Sequence, residues 1–206
     1  MVIETIDRYI KFRERWRKQR PKAVSTAEEV MKALKEDDRD QCLFEISRVR
    51  DVLASDYEGQ TILSWASRRG WTEIVHACLE IGSVVDSEDN LKRTPLSYAA
   101  ENGHTEVVRI LIKSQALPTT KDEDWRTPLS YASQNGHDCA ITLLMADQRV
   151  NPETKDKRGW LPLHWAAAFG HCDAITVLLQ EKIGINDLDL DGKTPFRAVK
   201  KKRRSG

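Results

Sequence analysis

Residues 93–104 read Arg93-Thr-Pro-Leu-Ser-Tyr-Ala-Ala-Glu-Asn-Gly-His104, and residues 160–171 read Trp160-Leu-Pro-Leu-His-Trp-Ala-Ala-Ala-Phe-Gly-His171. The Thr-Pro-Leu triplet of the first segment returns 33 residues later, at residues 127–129. Variants of the triplet begin at residues 61, 161 and 194. Self-similarity at a fixed period of this length predicts a repeat protein.

Two more columns recur in register with the triplet. An aspartate lies five residues before each triplet: Asp56, Asp89, Asp122, Asp156 and Asp189. In each of the first four units a glycine lies nine residues after the start of the triplet: Gly70, Gly103, Gly136 and Gly170. Thr suits the position before a helix, Pro suits its first turn, and Gly suits the left-handed residue that ends it. Aliphatic residues at helical spacing then predict a second helix in each unit.

The unit Asp-x-x-Gly-x-Thr-Pro-Leu-x-x-Ala, followed by Gly-His and an aliphatic helix, resembles the ankyrin repeat. The resemblance covers roughly residues 56–199 and implies an all-α solenoid of helix-turn-helix units with β-hairpin tips. The implied repeats are 56–88, 89–121, 122–155 and 156–188, followed by a half-repeat, 189–199, that caps the stack. The style of the repeats is similar to fungal NACHT–ankyrin proteins, but this sequence contains no nucleotide-binding Walker segment.

The flanks differ from the repeats. Residues 1–22 predict a basic amphipathic helix, for which packing on the adjacent cap is favoured over docking to a membrane surface or an acidic groove. Residues 23–55 predict a helical N-terminal cap that begins with the capping-box pattern Ser25-Thr-Ala-Glu28 and contains a second helix over Cys42–Leu53. Residues 200–206 form a basic tail, whose run Lys200–Arg204 is interpreted as a nuclear import signal, a nucleic-acid contact or a solvated tail.

Charge is distributed unevenly over the 206 residues, although 33 basic and 32 acidic side chains leave a net charge of only +1. Residues 1–22 carry +5, residues 197–206 carry +6, and residues 23–196 carry −10. The overall balance argues against bulk attraction to nucleic acid or to a membrane. The sequence has no apolar run of membrane-spanning length and no signal-peptide pattern, and its four cysteines form no Cys-x-x-Cys pair. We therefore expect a cytoplasmic or nuclear protein.

No catalytic motif occurs, so we expect neither an enzyme nor a cofactor. The segment Asp187-x-Asp189-x-Asp191-Gly192 looks like the front of a calcium loop, but Ala198 stands where that loop needs a glutamate, and a plain repeat tip is favoured. Three histidines share one repeat position and would be spaced along the stack, which favours structural roles over metal binding: His104, His137 and His171. The resemblance implies that His164 bridges neighbouring hairpins.

An aromatic column follows the triplets, at Trp65, Tyr98, Tyr131 and Trp165. Aromatic rings in register could stack on nucleic-acid bases, but burial between adjacent repeats is the favoured interpretation.

The resemblance implies a non-enzymatic module that binds another protein on the concave face of the solenoid, and we expect it to be a monomer. Two alternatives remain open. One is a nuclear regulatory cofactor imported by its basic tail, and the other is an accessory or scaffold subunit that positions an enzyme. No specific nucleic-acid partner is expected.

In the arrangement that the resemblance implies, variable contacts come from the tips and from the ends of the first helices. Large apolar residues are unusual at tips and match the residue types that anchor interfaces, although the two tip tryptophans could instead lie flat on neighbouring tips. The candidate partner-binding residues are Tyr57, Gln60, Arg68, Arg69, Leu91, Arg93, Glu101, Asn102, Asp124, Trp125, Arg126, Gln134, Asn135, Arg158, Trp160 and Phe169.

Overall fold

The computed structural model describes residues 26–48, 54–180 and 184–197. The predicted N-terminal helix and the basic tail lie outside the described residues. Ten helices occur in the described part: α1 Ala27–Lys35, α2 Arg39–Ile46, α3 Ile62–Arg69, α4 Thr72–Glu80, α5 Pro95–Glu101, α6 Thr105–Lys113, α7 Pro128–Asn135, α8 Asp138–Met145, α9 Pro162–Phe169 and α10 Cys172–Leu179. The fold is an all-helical repeat solenoid, as predicted.

The helices form two parallel rows. Helices α1, α3, α5, α7 and α9 stack on one another, and so do α2, α4, α6, α8 and α10. Each helix also packs against the other helix of its own pair. The pair α1–α2 therefore joins the stack in the same way as the repeats that follow it.

Each repeat begins and ends its first helix with the predicted chemistry. The hydroxyls of Thr61, Thr94 and Thr127 accept hydrogen bonds from the backbone N–H groups three residues later. Leu161 has no such hydroxyl, and there the Nδ1 atom of His164 accepts a bond from the Leu161 N–H at 3.2 Å. At the other end, Gly70 adopts the left-handed conformation with φ 72°.

The second helix of the N-terminal pair begins earlier than predicted. Helix α2 starts at Arg39 because the carboxylate of Asp38 accepts from the Gln41 N–H at 2.9 Å and caps the first turn. It ends at Ile46, with Ser47 as its C-cap, so the prediction of a helix over Cys42–Leu53 was wrong at its start and at its end. Residues 49–53 lie outside the described residues. A capping box begins α1, but it lies between Thr26 and Glu29, one residue later than the predicted pattern Ser25-Thr-Ala-Glu28.

The tips that connect successive repeats are tight turns. Among the described residues, a single isolated antiparallel bridge, between Ser55 and Thr61, is the only strand pairing at these tips. No helix in the described part is both long and apolar enough to cross a membrane.

Candidate partner-binding face

Each tip is organised by its aspartate. In the third repeat, Oδ1 of Asp122 accepts from the backbone N–H groups of Asp124 at 2.9 Å and Arg126 at 2.8 Å. The Asp122 N–H donates to the Arg126 carbonyl at 3.0 Å and closes the turn. Single backbone bonds join neighbouring tips, for example from the Glu123 N–H to the Leu91 carbonyl at 3.0 Å. The tips therefore form a connected edge.

In the first four tips, the second oxygen of the aspartate accepts a hydrogen bond from the aromatic column. The hydroxyls of Tyr98 and Tyr131 donate to their tip aspartates at 2.5 Å, and the indole N–H of Trp165 donates to Asp156 at 3.0 Å. Burial, together with the bond to a carboxylate, raises the pKa of both tyrosines. These three rings are buried, and Trp65 is half-buried. The column packs between repeats, as predicted.

The segment that looks like a calcium loop is a repeat tip. Its carboxylate Asp189 accepts three hydrogen bonds: from the N–H groups of Asp191 and Lys193, and from the indole of Trp160 at 3.0 Å. These bonds occupy the oxygens that a cation would need. Within the described residues, no group of three or more His, Cys, Asp and Glu side chains is placed to hold a metal ion.

The repeated histidines join one repeat to the next. The Nε2 atom of His104 lies 2.9 Å from the Arg68 carbonyl, and its ring covers Gly70 so closely that a Cβ there would lie 2.5 Å from Nδ1. His137 and His171 repeat this arrangement along the stack. His164 bridges to the next tip, with Nε2 3.3 Å from the Lys193 carbonyl. These contacts agree with the structural roles predicted for the four side chains.

Five of the predicted contact residues, from three successive repeats, line one groove: Arg68, Arg93, Glu101, Asn102 and Asn135, together with His137. Arg93 lies 3.9 Å from the carboxylate of Glu101, and the amide of Asn135 donates to the Glu101 carbonyl at 2.8 Å. The groove surface is therefore polar, and the Asn135 bond joins the second repeat to the third.

Arginine side chains lie over the aromatic column. Arg93 lies 4.4 Å from the ring centre of Tyr98, and Arg126 lies 4.0 Å from that of Trp165. Arg68 and Arg158 lie over rings of the same column at 5.7 Å and 5.9 Å. We call this set the arginine–aromatic ladder: Arg68, Arg93, Arg126 and Arg158 with Trp65, Tyr98, Tyr131 and Trp165. Planar guanidinium groups stack well on aromatic faces and stay charged.

Arg69 lies over the Trp65 ring of the aromatic column at 5.5 Å and also contacts the N-terminal pair. It pairs with Asp37 of the N-terminal pair and lies 5.2 Å from the ring centre of Trp71. Burial lowers the pKa of its guanidinium. These contacts give Arg69 a role in attaching the N-terminal pair to the first repeat.

One predicted contact residue does not reach the surface. Gln60 is 0% exposed, and its amide turns back onto the carboxylate of Glu58 at 2.5 Å. The tip that carries Gln60 also lies against α1, where Lys35 approaches Asp56 to 3.7 Å. The prediction of Gln60 as a surface contact was therefore wrong, because this tip packs against the N-terminal pair.

The two tip tryptophans differ. Trp160 is half-buried, donates to Asp189 and lies edge-on to Trp165 with ring centres 4.7 Å apart. These contacts favour the alternative in which Trp160 packs on neighbouring residues of the solenoid. Trp125 is 54% exposed and lines a separate concavity with three lysines that sequence reasoning missed: Lys92, Lys121 and Lys157. Lys92 and Trp125 both lie at the tip position that is glycine in other repeats, as at Gly59 and Gly159. The replacement of glycine by these two large residues could have indicated this surface from the sequence.

The remaining candidates lie at the surface or are half-buried. Phe169 is exposed, and its ring stacks between Trp165 and His171 with centre distances of 6.2 and 6.3 Å. Tyr57, Leu91 and Asp124 are exposed tip residues, and Gln134 is half-buried near the end of α7.

Comparison with protein families matches a model described as ankyrin repeats (3 copies) to residues 25–122 and 116–189. The match includes the α1–α2 pair. A comparison with curated proteins finds no match.

Proposed function

Because the chain belongs to the ankyrin-repeat family, whose repeats generally mediate protein–protein interactions and are typically non-enzymatic, we propose that it binds another protein on its concave face. One observation carries the proposal: side chains from three successive repeats line a single polar groove. A preformed surface built on packed helices loses little conformational entropy on binding. The mixture of arginine, amide and aromatic groups along it suits a protein partner.

The experiment is affinity purification of partners with two matched variants of the full chain. The groove variant carries Arg68→Ala and Asn102→Ala, and both residues are exposed. The control variant carries Arg109→Ala and Lys113→Ala on the exposed surface of the second-row helix α6. Proteins that bind the concave face should be recovered with wild-type and control bait but lost with the groove variant. Recovery that is lost only with the control variant would contradict the proposal.

A nuclear regulatory cofactor is the second candidate, because the sequence contains the basic run Lys200–Arg204. Imaging of a fluorescent fusion with and without residues 200–206 tests this candidate. Loss of nuclear signal on deletion would support it, and an unchanged distribution would contradict it. Recovery of an active enzyme in the purification above would instead support the accessory-subunit alternative.

A further inference from the structure

We propose that the arginine–aromatic ladder binds a carboxylate-rich, extended segment of the partner protein. This inference rests on the proposed concave-face function and names the chemistry of the ligand.

The ladder presents positive groups that the described part of the chain leaves without an acidic partner. Arg93 is paired with Asp89 at 3.1 Å. Arg68, Arg126 and Arg158 have no carboxylate within salt-bridge distance among the described residues. A guanidinium that is stacked on a ring and free at its edge is arranged to bind a carboxylate through two parallel hydrogen bonds.

The tip aspartates do not neutralise these groups at close range. Asp122 uses its oxygens for two backbone N–H donors and the Tyr131 hydroxyl, and Asp156 uses its own for two backbone donors and the Trp165 indole. Both carboxylates are buried. Arg126 is half-buried and Arg158 is exposed, whereas both aspartates are buried, so the arginines are the more accessible charges to a ligand.

The surrounding charge favours a protein segment over a nucleic acid. Residues 23–196 carry a net charge of −10, so a long polyanion that extends past the ladder would be repelled. A short acidic segment contacts the ladder and the adjoining groove without extending over the rest of the acidic surface. In that groove Asn102 donates to the Tyr98 carbonyl at 2.9 Å and Asn135 donates to the Glu101 carbonyl at 2.8 Å. Each amide has a second N–H and an oxygen that can pair with peptide backbone groups.

The repeat spacing indicates how the acidic residues are arranged in the partner. Arg93 and Arg126 occupy the same position in successive repeats, and packed helices lie roughly 8–10 Å apart. A segment in the polyproline II conformation rises about 3.1 Å per residue and has three residues per turn, so every third side chain lies on the same face. A carboxylate at every third position therefore matches the separation of Arg93 and Arg126.

The test measures binding of fluorescent synthetic peptides to the full chain by anisotropy. The probe peptide carries four glutamates, one at every third position, in a Gly/Ser background, and the matched peptide carries glutamine at the same positions. We expect the glutamate peptide to bind and the glutamine peptide to bind at least tenfold more weakly. The double variant Arg126→Gln/Arg158→Gln should weaken binding of the glutamate peptide at least tenfold. Arg109→Gln/Lys113→Gln, with the same change in charge, should leave it unaltered.

Arg158→Gln alone provides a second variant, because Arg158 is exposed and its loss disturbs packing less than loss of Arg126. It should weaken binding severalfold while the melting temperature stays constant. Failure of the glutamate peptide to bind, equal binding of both peptides, or equal binding to both double variants would overturn the proposal. A single-stranded oligonucleotide that binds more tightly than the peptide would overturn it in favour of a phosphate ligand. Loss of partners from the Ala groove variant, without any acidic-peptide binding, would keep the concave-face function and reject only this inference.

Discussion

The hydroxyl of Tyr131 donates a 2.5 Å hydrogen bond to Oδ2 of Asp122, nine residues earlier, and so ties a buried ring in helix α7 to the tip that precedes it. The same pair of positions is bonded in the second repeat by Tyr98 and Asp89, and in the fourth by Trp165 and Asp156. Tip conformation and helix packing are therefore linked in each of these repeats.

Removal of the Tyr131 hydroxyl tests this link. Tyr131→Phe keeps the ring but leaves a buried carboxylate oxygen without its donor, so the free energy of unfolding should fall by about 1–3 kcal/mol. Urea denaturation measures the change. Tyr57→Phe is the control because its ring is exposed, and it should have no effect. Equal midpoints for the two variants would show that the hydroxyl contributes nothing.

Two leucines allow a buried position to be compared with an exposed one. Leu129 is 1% exposed and Leu190 is 79% exposed. Leu129→Ala should destabilise the chain by roughly 2–5 kcal/mol, because it leaves a cavity at an interface between repeats. Leu190→Ala should change stability by less than about 0.5 kcal/mol. Denaturant midpoints that coincide would contradict the assignments.

Gly70 and Gly170 are a matched pair that separates backbone strain from steric clash. Both end a first helix in the left-handed conformation, with φ 72° and 75°. A Cβ at Gly70 would lie 2.5 Å from the His104 ring, whereas a Cβ at Gly170 would meet nothing within 4 Å. Gly170→Ala should cost about 1–2 kcal/mol from backbone strain alone, and Gly70→Ala should cost more. Similar losses in thermal unfolding would mean that the histidine ring moves aside without penalty.

Trp125 has a left-handed backbone, φ 63°, which is unfavourable for a bulky aromatic residue. Trp125→Gly should relieve this strain and raise stability by about 1 kcal/mol. Trp125→Ala keeps the strain, and we expect no gain from it. A loss of stability in the glycine variant, measured by calorimetry, would show that the indole packs more tightly than its exposure indicates. If Trp125 contacts a partner, both substitutions should weaken binding.

Acid should destabilise the chain through two histidines, of which His164 is buried and His104 is half-buried. Burial lowers the pKa of His104 and of His164 below the ordinary histidine value. Above about pH 6.5 these side chains are neutral in both states, and their contribution to stability is complete. As the pH falls below that value, the unfolded chain binds protons that the folded chain refuses, so the melting temperature should decrease.

The control for this pH dependence is His104→Gln/His164→Gln, which should flatten the decrease between pH 7 and 5. Glu73 and Asp189 also have lowered pKa values, but carboxyl groups titrate below this window. Burial raises the pKa of Glu73, but the hydrogen bonds from Arg39, from its own backbone N–H and from Thr72, together with the charge of Arg39, lower it overall. An unchanged slope in the double variant would assign the acid sensitivity to other groups.

Local patterns predicted the helices well because their ends depend on nearby residues. Thr94 caps helix α5, and Gly136 ends helix α7, each through contacts within a few positions. Leu96 and Leu129, the leucines of two Thr-Pro-Leu triplets, are both buried. Helix α2 starts three residues before the predicted Cys42, because Asp38 caps a first turn that contains polar residues.

Features that depend on contacts between repeats were harder to predict. Gln60 occupies the same column as Arg93 and Arg126, but only Gln60 is fully buried, and its tip packs against the N-terminal pair. Trp160 shares that column, yet its indole donates to the next tip, where Ala198 replaces the usual aromatic residue. The position in the column could not predict whether the side chain is buried or exposed, because burial depends on which neighbouring element packs against that repeat.

The contact between a glycine and the histidine of the following repeat limits how such a gene can lengthen or shorten. Gly70 meets His104, Gly103 meets His137, and Gly136 meets His171. Duplication or deletion of one whole unit recreates this junction wherever it occurs, whereas an insertion of partial length separates the two residues. The single extra residue in the 34-residue step from Asp122 to Asp156 is tolerated because the connection after α8 absorbs it in a turn from Asp147 to Val150, away from the junction. Viable variants in repeat number should therefore differ by whole units, with small length changes confined to such connections.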